Sequence, residues 1–233
     1  MIIHDCEQGS NEWMLARAGR PTASEFSKII TPATGKYLAS ARPYQLRLLV
    51  EKMLRIMPED ISNLPHVAHG NALEPTAVAA YEFERQVTTK KIGFITTDDG
   101  RYGASPDRLL VEINGGLEIK CPSPAVHLGY WADGFGTEYH CQRQGQMLVA
   151  ELDFIDMFSY CPQLPSRTER FGRDEEFLTK MRDCLDRFCD EMGQLEERLR
   201  GTGFFDEVVQ SDEVWWEDYL TNLEQRGEIL DAG

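Results

Sequence analysis

Three features of the sequence predict an α/β (α+β) sandwich in which helices flank a central mixed β-sheet. Up to about residue 86, apolar residues recur at helical spacing. From Lys90 to Cys121 they alternate with polar residues, as strands do. A helical segment, a short apolar run and a long amphipathic segment follow, so helices and strands interleave. The chain has 233 residues, 42% of them hydrophobic, which is material for a core that needs no disulfide or metal staple.

Taken in order, "NEWMLARAG" predicts a short helix ending at Gly19. "TASEFSKII" starts another, with Thr22 or Ser24 as its N-cap. "PYQLRLLVEKMLRIM" is the third, ended by Pro58. After the loop "PEDISNLPHVAHGN" comes "ALEPTAVAAYEFERQ", with Pro75 tolerated in its first turn. "KKIGFITTDDGRYGASPDRLLVEINGGLEIKC" predicts a three-stranded antiparallel meander, with turns at Asp99-Gly100 and Asn114-Gly115-Gly116. "EYHCQRQGQMLVAEL" is a helix and "FIDMFSYCP" a buried strand. "DEEFLTKMRDCLDRFCDEMGQLEERLR" is a long helix with acid at its start, where the helix dipole favours it. Residues 1–200 form one domain. Residues 201–233 are an acidic appendage holding Phe204, Phe205, Trp215 and Trp216, which either packs on that domain or docks a partner; paired aromatics favour packing.

The net charge of −15 argues against a nucleic-acid partner only until it is located. Residues 1–150 carry 15 Lys+Arg and 17 Asp+Glu, a net of −2, whereas 151–233 carry 9 and 22, a net of −13. A polyanion responds to the local field, so a basic cleft in the first part is compatible with DNA. The six cysteines form no CxxC pair and no zinc-knuckle spacing with His, and their arrangement does not suit an iron–sulfur cluster. No signal-peptide pattern opens the chain and no apolar stretch is long enough to span a bilayer. The expectation is a reduced, cytoplasmic protein without a membrane partner.

Chemistry concentrates in "SPDRLLVEINGGLEIK", residues 105–120. Side chains alternate faces along a strand, so Glu118 and Lys120 share one. A hairpin across Asn114-Gly115-Gly116 brings Asp107, at the start of the first arm, to the end of the second. Two hard carboxylates suit Mg²⁺, which acidifies a bound water and neutralises phosphate charge. Lys120 then orients or deprotonates that water, or stabilises the transition-state phosphate. A polar strand face with a surface ion pair would give the same spacing.

The pattern Pro106-Asp107…Glu118-x-Lys120 resembles that of the PD-(D/E)xK nuclease superfamily, which has a restriction-endonuclease-like core. Within it, "RAGRPTASE", "HGNALEPTAVAAYE", "ASPDRLL", "GLEIKCPSP" and "CQRQGQMLVA" resemble, in order and spacing, blocks of the phage lambda exonuclease-like family of viral recombination exonucleases; they cover roughly residues 8–165. The resemblance implies a Mg²⁺-dependent enzyme, with Mn²⁺ substituting, that digests linear double-stranded DNA 5′→3′ from a phosphorylated end. It implies a homotrimeric ring, a single-strand annealing protein as partner, and a phage or prophage origin in a bacterial host. By that resemblance Asp107, Glu118 and the carbonyl of Ile119 bind metal, Lys120 is catalytic, Gln142 lies near the attacking water and Glu74 supports a second metal position. Arg17, Ser24 and Ser105 hold the 5′-phosphate. This agrees with the planar donor fork of Arg and the anion affinity of a helix start. Val67 falls at an apolar wedge, shorter than the Leu expected, and His127 near a DNA contact. The segment after Gly201 has no counterpart in the family. A restriction-type endonuclease would carry the same site and differ in product. A non-enzymatic interaction protein is disfavoured by the intact Asp/Glu/Lys set.

Overall fold

The computed structural model describes residues 1–54 and 65–204; for residues 65–69 and 71 it describes the backbone alone. Strand β1 (Ile2–His4) precedes α1 (Asn11–Arg17), whose first turn is capped by Ser10 accepting the Trp13 N–H at 3.2 Å. Gly19, just past the helix end, takes a left-handed φ of +73°. A 3-10 turn (Ala23–Lys28) begins at Thr22, and α2 (Arg42–Leu54) follows. α3 (Pro65–Arg85) starts seven residues before the expected Ala72, so Pro75 lies inside the helix and not in its first turn. The expected stop at Pro58 lies outside the described residues.

The strand region departs from a single meander. β2 (Thr89–Lys91), β3 (Phe94–Thr96), β4 (Gly103–Ala104), β5 (Arg108–Leu110) and β6 (Gly115–Lys120) divide between two sheets. β1, β3 and β4 form one, antiparallel throughout, and it contains the turn at Asp99-Gly100. The other has the order β2-β5-β6-β7-β8, with β7 (Phe154–Ser159) and β8 (Arg167–Gly172). In this sheet β6 and β7 run parallel and the other pairs antiparallel, so it is mixed as expected. The parallel step needs a crossover, supplied by α4 (Pro124–Asp133) and α5 (His140–Val149).

Gly115 and Gly116 are not the bend expected of them. They are the first residues of β6, and the β5–β6 connection is 111–114. They lie under β7: a Cβ on Gly115 would meet the Phe154 ring at 2.2 Å, and one on Gly116 would meet Ile155 Cδ1 at 2.5 Å. Close approach, not turn geometry, requires glycine there.

Alternation along β6 sends Leu117 and Ile119 to one face and Glu118 to the other. The first face packs on Ala77, Val78 and Tyr81 of α3. The second belongs to the larger core, which includes Phe26, Leu48, Met147, Met157 and, from α6 (Glu175–Gly201), Leu185 and Phe188. Asp174 caps α6 by accepting the Phe177 N–H at 3.0 Å. The chain separates into units Met1–Glu196 and Glu197–Gly233; in the second, described residues end at Phe204, so the expectations for Phe205, Trp215 and Trp216 lie outside them.

Candidate active site

β5 and β6 pair with Arg108 opposite Leu117, so one further residue in register places Asp107 opposite Glu118. Asp107 Oδ2 accepts the Ile119 N–H at 2.6 Å. Gln8 fixes the approach to it, donating from Nε2 to the carbonyls of Ile92 (2.8 Å) and Pro106 (3.0 Å). Glu118 is buried, at 4% exposure. Its Oε1 accepts from Lys120 Nζ at 2.8 Å and from Gln142 Nε2 at 2.7 Å. Its Oε2 accepts from Gln146 Nε2 at 2.6 Å. Lys120 also lies 5.0 Å from the centre of the Tyr139 ring.

This electrostatic arrangement is frustrated. Burial pushes the Asp107 carboxyl well above the usual carboxylate range, and the charges of Glu118 and Glu74 push it further. The Ile119 N–H and Lys120 pull it back only partly. Burial alone would lower the Lys120 ammonium, but Glu118 and Asp107 outweigh it and raise the pKa above the ordinary lysine value. Lys120 is therefore held protonated. Glu74, on α3, is close enough for its charge to act on Asp107 and on Cys121, whose thiol burial drives up to about 11. Of the residues expected here, Asp107, Glu118, Ile119, Lys120 and Gln142 come together and Glu74 stands beside them.

A second cluster lies two residues before Asp107. Ser105 Oγ accepts from Trp13 Nε1 at 3.0 Å and from Arg17 Nη1 at 3.3 Å. Arg17 Nη2 reaches Thr22 Oγ1 at 3.4 Å, and Thr22 Oγ1 lies 3.3 Å from Ser24 Oγ. The guanidinium stacks 4.1 Å over Trp13, and its Nε is buried without a hydrogen-bond partner. Burial lowers its pKa to about 10. Arg17, Ser24 and Ser105 thus belong to one cluster, Ser24 joined to Arg17 through Thr22, in which a desolvated cation is met by hydroxyls and, among the described residues, by no salt-bridging carboxylate. Behind it Glu51, 2% exposed, accepts the Gly19 N–H at 3.3 Å and lies 3.3 Å from Arg47 Nε.

His127 is a correction. It is 1% exposed, with Nδ1 2.7 Å from Ser159 Oγ and Nε2 2.9 Å from the Pro165 carbonyl. Both ring nitrogens are engaged, one tying α4 to β7 and the other to the β7–β8 connection, which leaves neither for DNA. The expectation at Val67 falls where side chains are not described. Sequence reasoning missed Trp13, Gln8 and Gln146. Of these, Gln146 had a readable signal, since it lies one helical turn beyond Gln142 and so on the same face.

Comparison with known proteins places these geometries in context. Solved structures of similar fold include an alkaline exonuclease (LHK-Exo) from Laribacter hongkongensis, at a TM-score of 0.74 and 28% identity over 83% of this chain and 98% of that one. LHK-Exo in complex with dAMP matches at 0.72 and 29%, with the same coverage. A phage related exonuclease from Haemophilus somnus 129PT matches at 0.61 and 16%, over 77% and 96%, a likeness of fold. None of the curated proteins matches the sequence. The family model for the YqaJ-like viral recombinase domain matches residues 12–153, a span holding Trp13, Arg17, Ser105, Asp107, Glu118, Lys120, Gln142 and Gln146. The chain belongs to the YqaJ-like viral recombinase family.

Proposed function

We propose that the chain is a 5′→3′ exonuclease that digests one strand of linear double-stranded DNA from a 5′-phosphorylated end, leaving 3′ single strands for recombination by annealing. The observation that carries this reading is the pairing of Asp107 and Glu118 across β5 and β6, with Lys120 on the same strand face. Two adjacent carboxylates, Glu118 buried and Asp107 partly so, with their charge only partly compensated, call for a cation. Among the described residues, no group of three or more His, Cys, Asp and Glu side chains stands ready to hold one. The donors are instead this hard-oxygen pair and the adjacent backbone, a set that fits Mg²⁺ with its retained waters, or Mn²⁺. When bound, the ion supplies an acidified water and charge neutralisation at the phosphate.

The chain's own groups do the rest. Lys120, hydrogen-bonded to Glu118 on the same strand face, donates to the scissile phosphate and stabilises its transition-state charge. Gln142 keeps Glu118 in place and offers its amide to the attacking water. The Arg17 cluster supports end recognition, because each Nη of the desolvated guanidinium spends only one of its two N–H groups within the chain, which leaves donors for a phosphate. Ser105-Pro106-Asp107 then fixes the spacing between the gripped end and the cutting site. The dAMP of the LHK-Exo complex is a mononucleotide, the kind of product this reaction releases. A homotrimeric ring and an annealing protein complete the proposal. In it, the acid excess of residues 151–233 disfavours DNA contact away from the site in residues 1–150.

A gel assay with end-labelled duplex tests the polarity. Linear DNA bearing a 5′-phosphate should lose nucleotides from that end, a 5′-hydroxyl end should be a poorer substrate, and closed circles should survive. Cutting of closed circles would favour the restriction-type alternative.

A further inference from the structure

We propose that Gln146 is a positioning residue for the metal-binding carboxylate of Glu118, a role that rests on the nuclease reading above. An ionised carboxylate has about four lone-pair sites. On Glu118, Oε1 takes two donors, Lys120 and Gln142, and Oε2 takes one, Gln146. One site is left, on Oε2. The two glutamines come from successive turns of α5 and reach opposite oxygens of the same carboxylate, so the group cannot rotate without breaking one of the bonds. Gln146 therefore decides which lone pair of Glu118 a cation meets, and from which side.

The residue's own surroundings argue that packing is not its purpose. Gln146 is 1% exposed, and its Oε1 is buried without a hydrogen-bond partner. The amide cannot turn over to relieve this, because its oxygen would then face the Glu118 carboxylate. A Met or Leu would fill the same space between α5 and β6 without stranding a polar atom. What those residues lack is the N–H that Glu118 accepts. A group that acts on a metal through its ligand is expected to shift metal affinity about 10- to 100-fold when removed.

The test uses the full chain and Mn²⁺ alone, without DNA. Free Mn²⁺ is titrated by electron paramagnetic resonance against wild type, Gln146→Met, Gln146→Leu and Asp107→Asn. Both Gln146 variants should weaken Mn²⁺ about 10- to 100-fold. Their kcat should recover toward the wild-type value as Mg²⁺ is raised, with the KM for DNA unchanged. A Mn²⁺ affinity within about twofold of wild type in both variants overturns the proposal. So does loss of folding in both, which would make Gln146 a packing residue. The parent reading fails separately, if wild type binds no Mn²⁺ or if Asp107→Asn binds it as wild type does.

Discussion

At the scale of single residues, Asp107 stores the conflict on which the site depends. Its carboxyl is pushed up by burial and by Glu118, so the folded chain holds that proton more tightly than the unfolded chain does. Stability then falls as pH rises through and above the ordinary carboxylate range. Metal-free wild type should show this decline in melting temperature, and Asp107→Asn should flatten it, because the amide carries no charge to repel Glu118. A decline of equal slope in the variant would refute this account of the pair. Arg17 makes the complementary case. Arg17→Ala should reduce the preference for 5′-phosphate over 5′-hydroxyl ends by about tenfold or more, as expected for a charge-assisted hydrogen bond of about 1.5–3 kcal/mol. Initial rates on the two substrates give that ratio directly. Glu118 and Lys120 were legible because strand parity puts them on one face, whereas Arg17 was singled out only by the family resemblance of "RAGRPTASE", since by itself it reads as a solvated helix residue. His127 was not legible, since nothing in a lone His announces that both its nitrogens are satisfied inside the fold.

At the scale of elements, α5 aligns the catalytic face with the phosphate pocket. Gly145 lets it lie against the 3-10 turn that carries Ser24: an added Cβ would come within 2.5 Å of Phe26 Cδ2 and 3.0 Å of Ala23 Cβ. Gly145→Ala should cost about 1–3 kcal/mol by overpacking, read as a lower urea midpoint at constant slope. α3 is anchored from its other end. Tyr81 donates to buried Asp156 at 2.7 Å, and Arg170 grips both oxygens of the same carboxylate at 2.8 Å. Tyr81→Phe should cost about 1 kcal/mol in the same measurement, since Arg170 still satisfies Asp156. The helices other than α4 were legible from periodicity and β7 from its short apolar run, whereas α4, "PAVHLGYWAD", was not read as an element. β8, "RTERFG", was not legible either, because an edge strand with four of its six residues polar shows no apolar alternation. The meander was misread because β2 pairs with β5 and β3 with β1, contacts that local alternation does not encode.

At the scale of the whole molecule, the sequence order of elements was enough to predict a mixed sheet between helical layers. The division into two sheets was not, because it depends on where the chain crosses from one to the other. The uneven charge explains how a chain of net −15 is compatible with a polyanionic substrate: the site lies wholly within residues 1–150, whose net charge is −2. All these scales meet in the claim that Asp107, Glu118 and Lys120 form the centre that cuts DNA. Its most direct test is the release of acid-soluble nucleotides from linear, 5′-phosphorylated duplex in Mg²⁺, measured for wild type and for Asp107→Asn with its fold verified by circular dichroism. The prediction is steady release by wild type and a loss of about 10³-fold or more in the variant, comparable to the removal of a principal catalytic group. Release by Asp107→Asn at the wild-type rate, or none by wild type, would contradict it.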